Sequence, residues 1–438
     1  MASVMANLWS SIADAGRELL RGRGVRPRRL GLDRLCSDLL STRGEASGAA
    51  LAREVVEAYR SLPDADRLAF FEGLARDHAV SPAEVVAAAD RYRDRPGMET
   101  LSALRRVTES PRVELFRRMN MAPSGTRALV RLRVDLLGFL EDHPDLAEVD
   151  ADLQGLLAAW FNPGFLSLSR IDWNSPAALL EKLVRYERVH RMQGLEDLRR
   201  RLAADRRCFA FFHPALPDEP LIFVQVALLR GLADRIQPLI DRAAAIGATQ
   251  DADTAIFYSI SNCQEGLRGV SLGNFLIKLV VDELKRELPQ IRRFATLSPI
   301  PGFGAWLRAE REREEGGYLE PDERRLLEAL DEPGWNNDAA TCERLRPLLM
   351  RACAHYLVHE KQGRRPRDPV ARFHLGNGAS LERINFLGDV SEKVLRESAG
   401  LLVNYRYDPE TIERNHEAYT HTGEVAYGAS VKALLPGE

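Results

Sequence analysis

Lysine is scarce in this 438-residue chain. Lys182, Lys278, Lys285, Lys361, Lys393 and Lys432 are all there are, and arginine makes up the rest of the 61 basic residues, a bias we read as genomic base composition. The 64 acidic residues leave a net charge of -3. The overall positive field that holds nucleic acid by counterion release is therefore missing, and nucleic acid is not an expected partner. Long apolar runs are missing too: nothing approaches the roughly 18 residues of a membrane span. Asp14 and Glu18 fall where a signal or transit peptide avoids acids, so no membrane partner is expected. The five cysteines, Cys36, Cys208, Cys263, Cys342 and Cys353, are odd in number, scattered and without a CxxC spacing. A disulfide-stapled module is thereby excluded, a structural zinc site is disfavoured, and a reducing cytoplasm fits best.

What is present is ordinary globular composition, 45% hydrophobic and 29% charged, at a length that favours two domains. From Leu30 to about Ala159 apolar residues recur at three-and-four spacing, as in Leu51, Val55, Val56 and Tyr59 or Leu129, Leu132, Leu136 and Leu137. Helix-start chemistry at Ser81 and Pro82 punctuates the series. The spacing predicts an all-α helical bundle over residues 1–160, with no cluster of obvious chemistry and a packing or oligomerisation role. The arginine-rich patch Arg21–Arg29 reads as a solvated linker.

The pattern changes in residues 161–438. Cys208–Phe212, Leu221–Leu229, Thr254–Ser261, Phe294–Leu297 and Leu401–Tyr407 are aromatic or β-branched runs that read as strands. Between the third and fourth lie a glycine loop, Gly266–Asn274, and an apolar helix, Phe275–Leu288, which together make a βαβ unit. Glycines between a strand and a helix let backbone N–H groups converge on an anion, so this loop is the candidate diphosphate cradle. Its spacing fits neither a P-loop nor a dinucleotide fingerprint. It is similar to the acetyl-CoA loop of GNAT acyltransferases over Arg268, Gly269, Val270, Ser271, Leu272 and Gly273, with Ser271 in place of the first glycine. Ser298 sits among prolines at a strand end, where the local sequence alone favours a cap for the helix that Pro299 or Pro301 begins. His374 falls in an irregular, glycine-bearing segment, His374–Gly378, where it could be a satisfied loop histidine. His355 and His359 share an i, i+4 spacing but have no third ligand nearby in sequence, so no metal site is expected.

Taken in order and spacing, Ser298–Phe303, Phe373–Ala379, Tyr258–Ser261, Gly269–Gly273 and Asn404–Tyr407 resemble the malonyl-CoA decarboxylases over essentially the whole chain. The resemblance implies an α+β two-domain protein: an N-terminal helical bundle, then a GNAT-like α/β domain that takes malonyl-CoA to acetyl-CoA and carbon dioxide without a cofactor. It implies Ser298 and His374 as catalytic residues, with Tyr405 and Asn404 as supporting hydrogen-bond groups. It further implies Ser259, Arg268, Gly269, Val270, Ser271, Leu272, Gly273 and Asn274 as the CoA-binding positions, Ser271 standing where animal members carry glutamate. The thioester carbonyl is itself an electron sink. An imidazole with an ordinary pKa near ~6.5 suits His374 to protonate the enolate. The chain lacks the peroxisomal ending of animal members, which points to a bacterial-type cytoplasmic enzyme, as a homodimer or homotetramer. The rival readings are a CoA-dependent N-acyltransferase, which would need an amine site, and a non-catalytic acyl-CoA sensor.

Overall fold

A computed structural model describes residues 31–41, 44–270, 272, 276–313 and 316–435. The Arg21–Arg29 patch, Asp14 and Glu18 lie outside the described residues. Two compact units divide the chain. One comprises the residues up to Ser167 together with Phe212–Leu221 and Cys263–Leu272; the other comprises Leu168–Phe211, Ile222–Asn262 and the residues from Gly273 onward.

The first unit is helical, as the three-and-four spacing predicts. Helices Leu32–Ser41, Glu45–Arg60, Asp64–Asp77, Pro82–Asp94, Met98–Thr108, Pro111–Met119, Gly125–Phe139 and Ala147–Trp160 follow one another. Ser81 opens the fourth by accepting a hydrogen bond from the Glu84 amide, with Pro82 as the first helical residue. Leu51, Val55, Val56 and Tyr59 are buried on one helix and Leu129, Leu132 and Leu136 on another, so the apolar stripes are the core.

The second unit is a seven-stranded mixed sheet with helices packed on it. Its strands are β1 (Ser167–Ile171), β2 (Arg206–Phe212), β3 (Ile222–Leu229), β4 (Thr254–Asn262), β5 (Arg293–Thr296), β6 (Ser380–Asn385) and β7 (Leu402–Arg406), in the order β1-β2-β3-β4-β5-β7-β6. The expected βαβ unit is there: β4 and β5 are parallel, with the helix Leu276–Glu287 between them in sequence. Two strands were not legible in the sequence. β1 is largely exposed, and β6 carries Glu382 and Arg383 mid-strand, so neither shows the apolar run of a buried strand. No helix among the described residues is long and apolar enough to cross a membrane.

Two features of the sheet create a cavity. β4 pairs with β5 only from Thr254 to Phe257, opposite Arg293 to Thr296. Past Leu297, whose amide still donates to the Phe257 carbonyl at 3.0 Å, the chain leaves β4, and Ser298 instead exchanges hydrogen bonds of 2.8 and 2.9 Å with Val403 of β7. On the other side of β4 the register with β3 shifts, so that Tyr258 has no partner, a β-bulge that re-aims the strand. Where β4 and β5 part, a cavity of about 260 Å³ opens, lined by Phe257, Ser259, Leu297, Ser298, Phe373 and His374 among others.

Candidate active site

Ser298 and His374, 76 residues apart in sequence, meet at the wall of that cavity with Ser298 Oγ 3.0 Å from His374 Nε2. Ser298 does not cap a helix: the next helix, Phe303–Glu312, begins beyond it at Gly302. His374 is not in a loop either. It sits in the helix Pro369–Gly376, which Asp368 starts by accepting hydrogen bonds from the Val370 and Ala371 amides, both at 2.9 Å. The Asp-Pro pair at 368 and 369 is a helix-start signal that the glycines at 376 and 378 overshadow in the sequence.

The hydrogen bonds around the pair set its protonation state. Ser298 Oγ donates to Thr296 Oγ1 at 2.8 Å, so it accepts from His374 Nε2–H; on the other side of the ring, Nδ1 lies 2.7 Å from the Tyr407 hydroxyl. Burial pushes the Tyr407 phenol well above its usual range, so it stays protonated and donates to Nδ1. Burial likewise pushes the imidazole down to about 3. His374 is therefore a neutral Nε2–H tautomer at physiological pH, and the expectation of a donor titrating near its ordinary value is corrected: desolvation disfavours the imidazolium.

The supporting residues are only partly those expected. Tyr405 is fully buried and stacks on His374, ring centroids 4.5 Å apart, but its hydroxyl bonds to nothing among the described residues. What it presents to His374 is its ring face. Asn404 points elsewhere, because neighbours along a strand face opposite sides of the sheet. Its amide donates to the carbonyls of Ala233 and Thr296 and accepts from Arg383 Nε and Asn385 Nδ2, which uses all four of its hydrogen-bonding positions. Ser259 lines the cavity, yet its hydroxyl is committed to Glu187 at 2.7 Å.

Besides Tyr407, three residues that matter here escaped sequence reasoning. Thr296 accepts from Ser298 and, at 3.2 Å, from the Tyr405 amide, joining β5 to β7 beneath the pair. Glu187 is buried; it receives Ser259, Gln225 and the amides of Val189 and His190, and so fixes the cavity-lining Val189 to β4. Asp368 also accepts from the Gly302 amide, at 3.1 Å. Only the last has a local sequence signal; the other two acquire meaning from tertiary neighbours.

In the helical unit, the described part of the glycine loop is built for rigidity. Arg133, 1% exposed, donates to the carbonyls of Gly266 at 2.9 Å and Arg268 at 2.7 Å and is held by Asp150. Sequence reasoning did not single out this strut. Gly266 has no room for a side chain, since a Cβ would lie 2.0 Å from the Val130 carbonyl oxygen, and Gly269 has φ +79°. Arg268 and Gly269 are exposed, whereas Val270 and Leu272 turn inward. The amides of Arg268 and Val270 already close turns onto Glu265 and Leu267, so the cradle expected from backbone N–H groups is not supplied by these two. Ser271, Gly273 and Asn274 lie outside the described residues. Among the described residues no group of three or more His, Cys, Asp and Glu side chains could hold a metal, and His355 stacks on Tyr318 at 3.9 Å.

A mixed sheet that parts along the parallel pair β4–β5, with a hydroxyl and a buried imidazole set at the parting, is the framework of an enzyme domain. Residues 164–438 match the family model of the malonyl-CoA decarboxylase C-terminal domain, and residues 78–161 that of the N-terminal domain. This chain belongs to the malonyl-CoA decarboxylase family. It is 38% identical over 416 residues to the mitochondrial malonyl-CoA decarboxylase of the goose Anser anser anser, covering 87% of this chain and 82% of that protein. The crystal structure of the malonyl-CoA decarboxylase from Rhodopseudomonas palustris superposes with a TM-score of 0.89 at 50% identity, covering 92% of this chain and 98% of that one. For the enzyme from Agrobacterium vitis the values are 0.88, 48%, 92% and 99%.

Proposed function

We propose that this chain decarboxylates malonyl-CoA to acetyl-CoA and carbon dioxide, with the malonyl group in the cavity beside Ser298 and His374. The observation that carries the reading is the Ser298–His374 contact at the point where β4 and β5 separate. Loss of carbon dioxide leaves an enolate whose charge the thioester carbonyl accepts, so no cofactor is required. The protein's work is to orient the carboxylate, stabilise the enolate oxygen with fixed donors and supply a proton to carbon. Without substrate the Ser298 proton goes to Thr296 and the His374 Nε2–H to Ser298; in this reading the malonyl group draws both donors to itself, one holding the enolate oxygen while the other gives up its proton. The apolar wall of Phe257, Leu297 and Phe373 favours release of an uncharged product from an anionic group.

The residues Arg268 to Asn274 contribute to CoA binding in this reading. The helices of residues 1–160 form the subunit interface of a homodimer or homotetramer, and the enzyme works in the cytoplasm. The test is incubation of the purified protein with malonyl-CoA alone. Acetyl-CoA should accumulate without an amine acceptor, and Ser298→Ala should lower kcat by about 10²-fold or more with little change in stability. No acetyl-CoA from the parent protein, or full kcat in Ser298→Ala, would overturn the assignment.

A further inference from the structure

The helical unit has a cavity of its own, of about 400 Å³, walled mainly by the helices Glu45–Arg60, Asp64–Asp77 and Gly125–Phe139. Four arginines line it, Arg60, Arg67, Arg127 and Arg131, against a single carboxylate, Asp135. Between them lies a floor of buried apolar side chains, Val56, Met119 and Leu132.

Asp135 does not neutralise this wall. It accepts a hydrogen bond from the Tyr59 hydroxyl at 2.9 Å and lies 3.4 Å from Arg67 Nη1. Arg67 Nη1 is also 3.3 Å from Asp64, but its Nε is buried with no partner among the described residues. Arg127 donates to the Pro217 carbonyl at 3.0 Å and has Glu219 as counter-charge only at 4.0 Å. Among the described residues no carboxylate lies within 4.0 Å of Arg60 or Arg131. Arg127 and Arg131 also stand one helical turn apart, and like charges at that spacing weaken a helix.

We propose that this cavity binds an organic phosphate, an anion of two or more charges with an apolar part that lies on the floor. Guanidinium forks match phosphate oxygens two at a time, and four converging forks exceed what one carboxylate can use. The volume falls in the range of small-molecule sites and is larger than inorganic phosphate fills. An arginine that is merely solvated leaves all its N–H groups to water. The buried Nε of Arg67 instead lacks an acceptor, and a buried donor left unpaired is costly until a ligand satisfies it. Two sources carry this chemistry, a free phosphorylated metabolite and the phosphates of CoA.

The inference does not depend on the decarboxylase reading, because its test reads binding. Titration calorimetry of the full chain with ADP should show binding. Arg60→Gln and Arg131→Gln, at exposed positions without a carboxylate partner, should each raise Kd for ADP at least about tenfold, the worth of one charge-assisted contact. Arg105→Gln makes the same charge change at an exposed arginine of the helix Met98–Thr108 and should leave Kd unaltered. Kinetics separate the two sources: KM for malonyl-CoA that rises in step with Kd for ADP assigns the site to CoA, and unchanged KM assigns it to a free metabolite. No ADP binding at millimolar concentration, Kd unaltered in both variants, or an equal loss in Arg105→Gln would overturn the proposal. So would dissociation of an oligomer by Arg131→Gln in a protein that binds no ADP, which would give these arginines to the carboxylates of a second copy.

Discussion

Asp368 accepts a hydrogen bond from the Gly302 amide at 3.1 Å with one carboxylate oxygen while the other caps the helix that carries His374. One side chain therefore ties the turn after Ser298 to the helix of its partner. Asp368→Ala should lower stability by about 1–2 kcal/mol from the lost cap alone. It should also lower kcat per folded molecule, because the 3.0 Å contact loses its strut. Urea unfolding and kcat measured side by side check this, and an unchanged kcat would mean that the pair holds its geometry without Asp368.

The protonation of His374 gives a pH prediction with a definite sign. Its folded value is about 3 against ~6.5 when unfolded. Between those values the unfolded chain binds a proton that the folded chain does not, so stability is fully present above ~6.5 and falls as the solution is acidified towards 3. His190, buried and pushed down to about 4, acts in the same direction. Thermal unfolding from pH 7 to pH 4 should show this loss, and His374→Asn should make it shallower. The same neutrality predicts a kcat profile without a limb near pH 6.5; such a limb, abolished by His374→Asn, would restore the imidazolium as donor.

Asn404 is expected to be structural. Asn404→Ala strands the carbonyls of Ala233 and Thr296, at about 1–3 kcal/mol for each buried group left unpaired. The variant should unfold at lower temperature while kcat per folded molecule stays close to the parent. Collapse of kcat at unchanged stability would return Asn404 to the reaction.

Arg133 tests the glycine loop. Arg133→Lys keeps the charge but loses the forked geometry that reaches the carbonyls of both Gly266 and Arg268. If the loop binds CoA, Kd for CoA should rise, by about tenfold for one charge-assisted bond lost. Equal CoA affinity in the folded variant would separate loop rigidity from binding.

How much of this was legible in the sequence depended on whether the signal was local. Helix periodicity, the Ser81 cap, the strands with continuous apolar runs and the βαβ unit could be read directly, because burial of a face fixes spacing. β6 could not, since Arg383 makes its hydrogen bond to Asn404 across the sheet and shows no apolar pattern of its own. Ser298 and His374 came from resemblance, not from neighbours in sequence. Their environment followed neither route: the neutral tautomer depends on Tyr407 and on burial, and the roles of Thr296, Glu187 and Arg133 exist only once distant segments pack.

Tyr405 is completely buried against His374 with a hydroxyl that none of the described residues satisfies. A buried phenol without a partner is a liability for the folded state, and a phenylalanine ring would fill the same space without it. Such a group persists in a lineage only where something other than stability maintains it. A laboratory selection for heat tolerance alone should therefore enrich Tyr405→Phe, and a selection for turnover should deplete it.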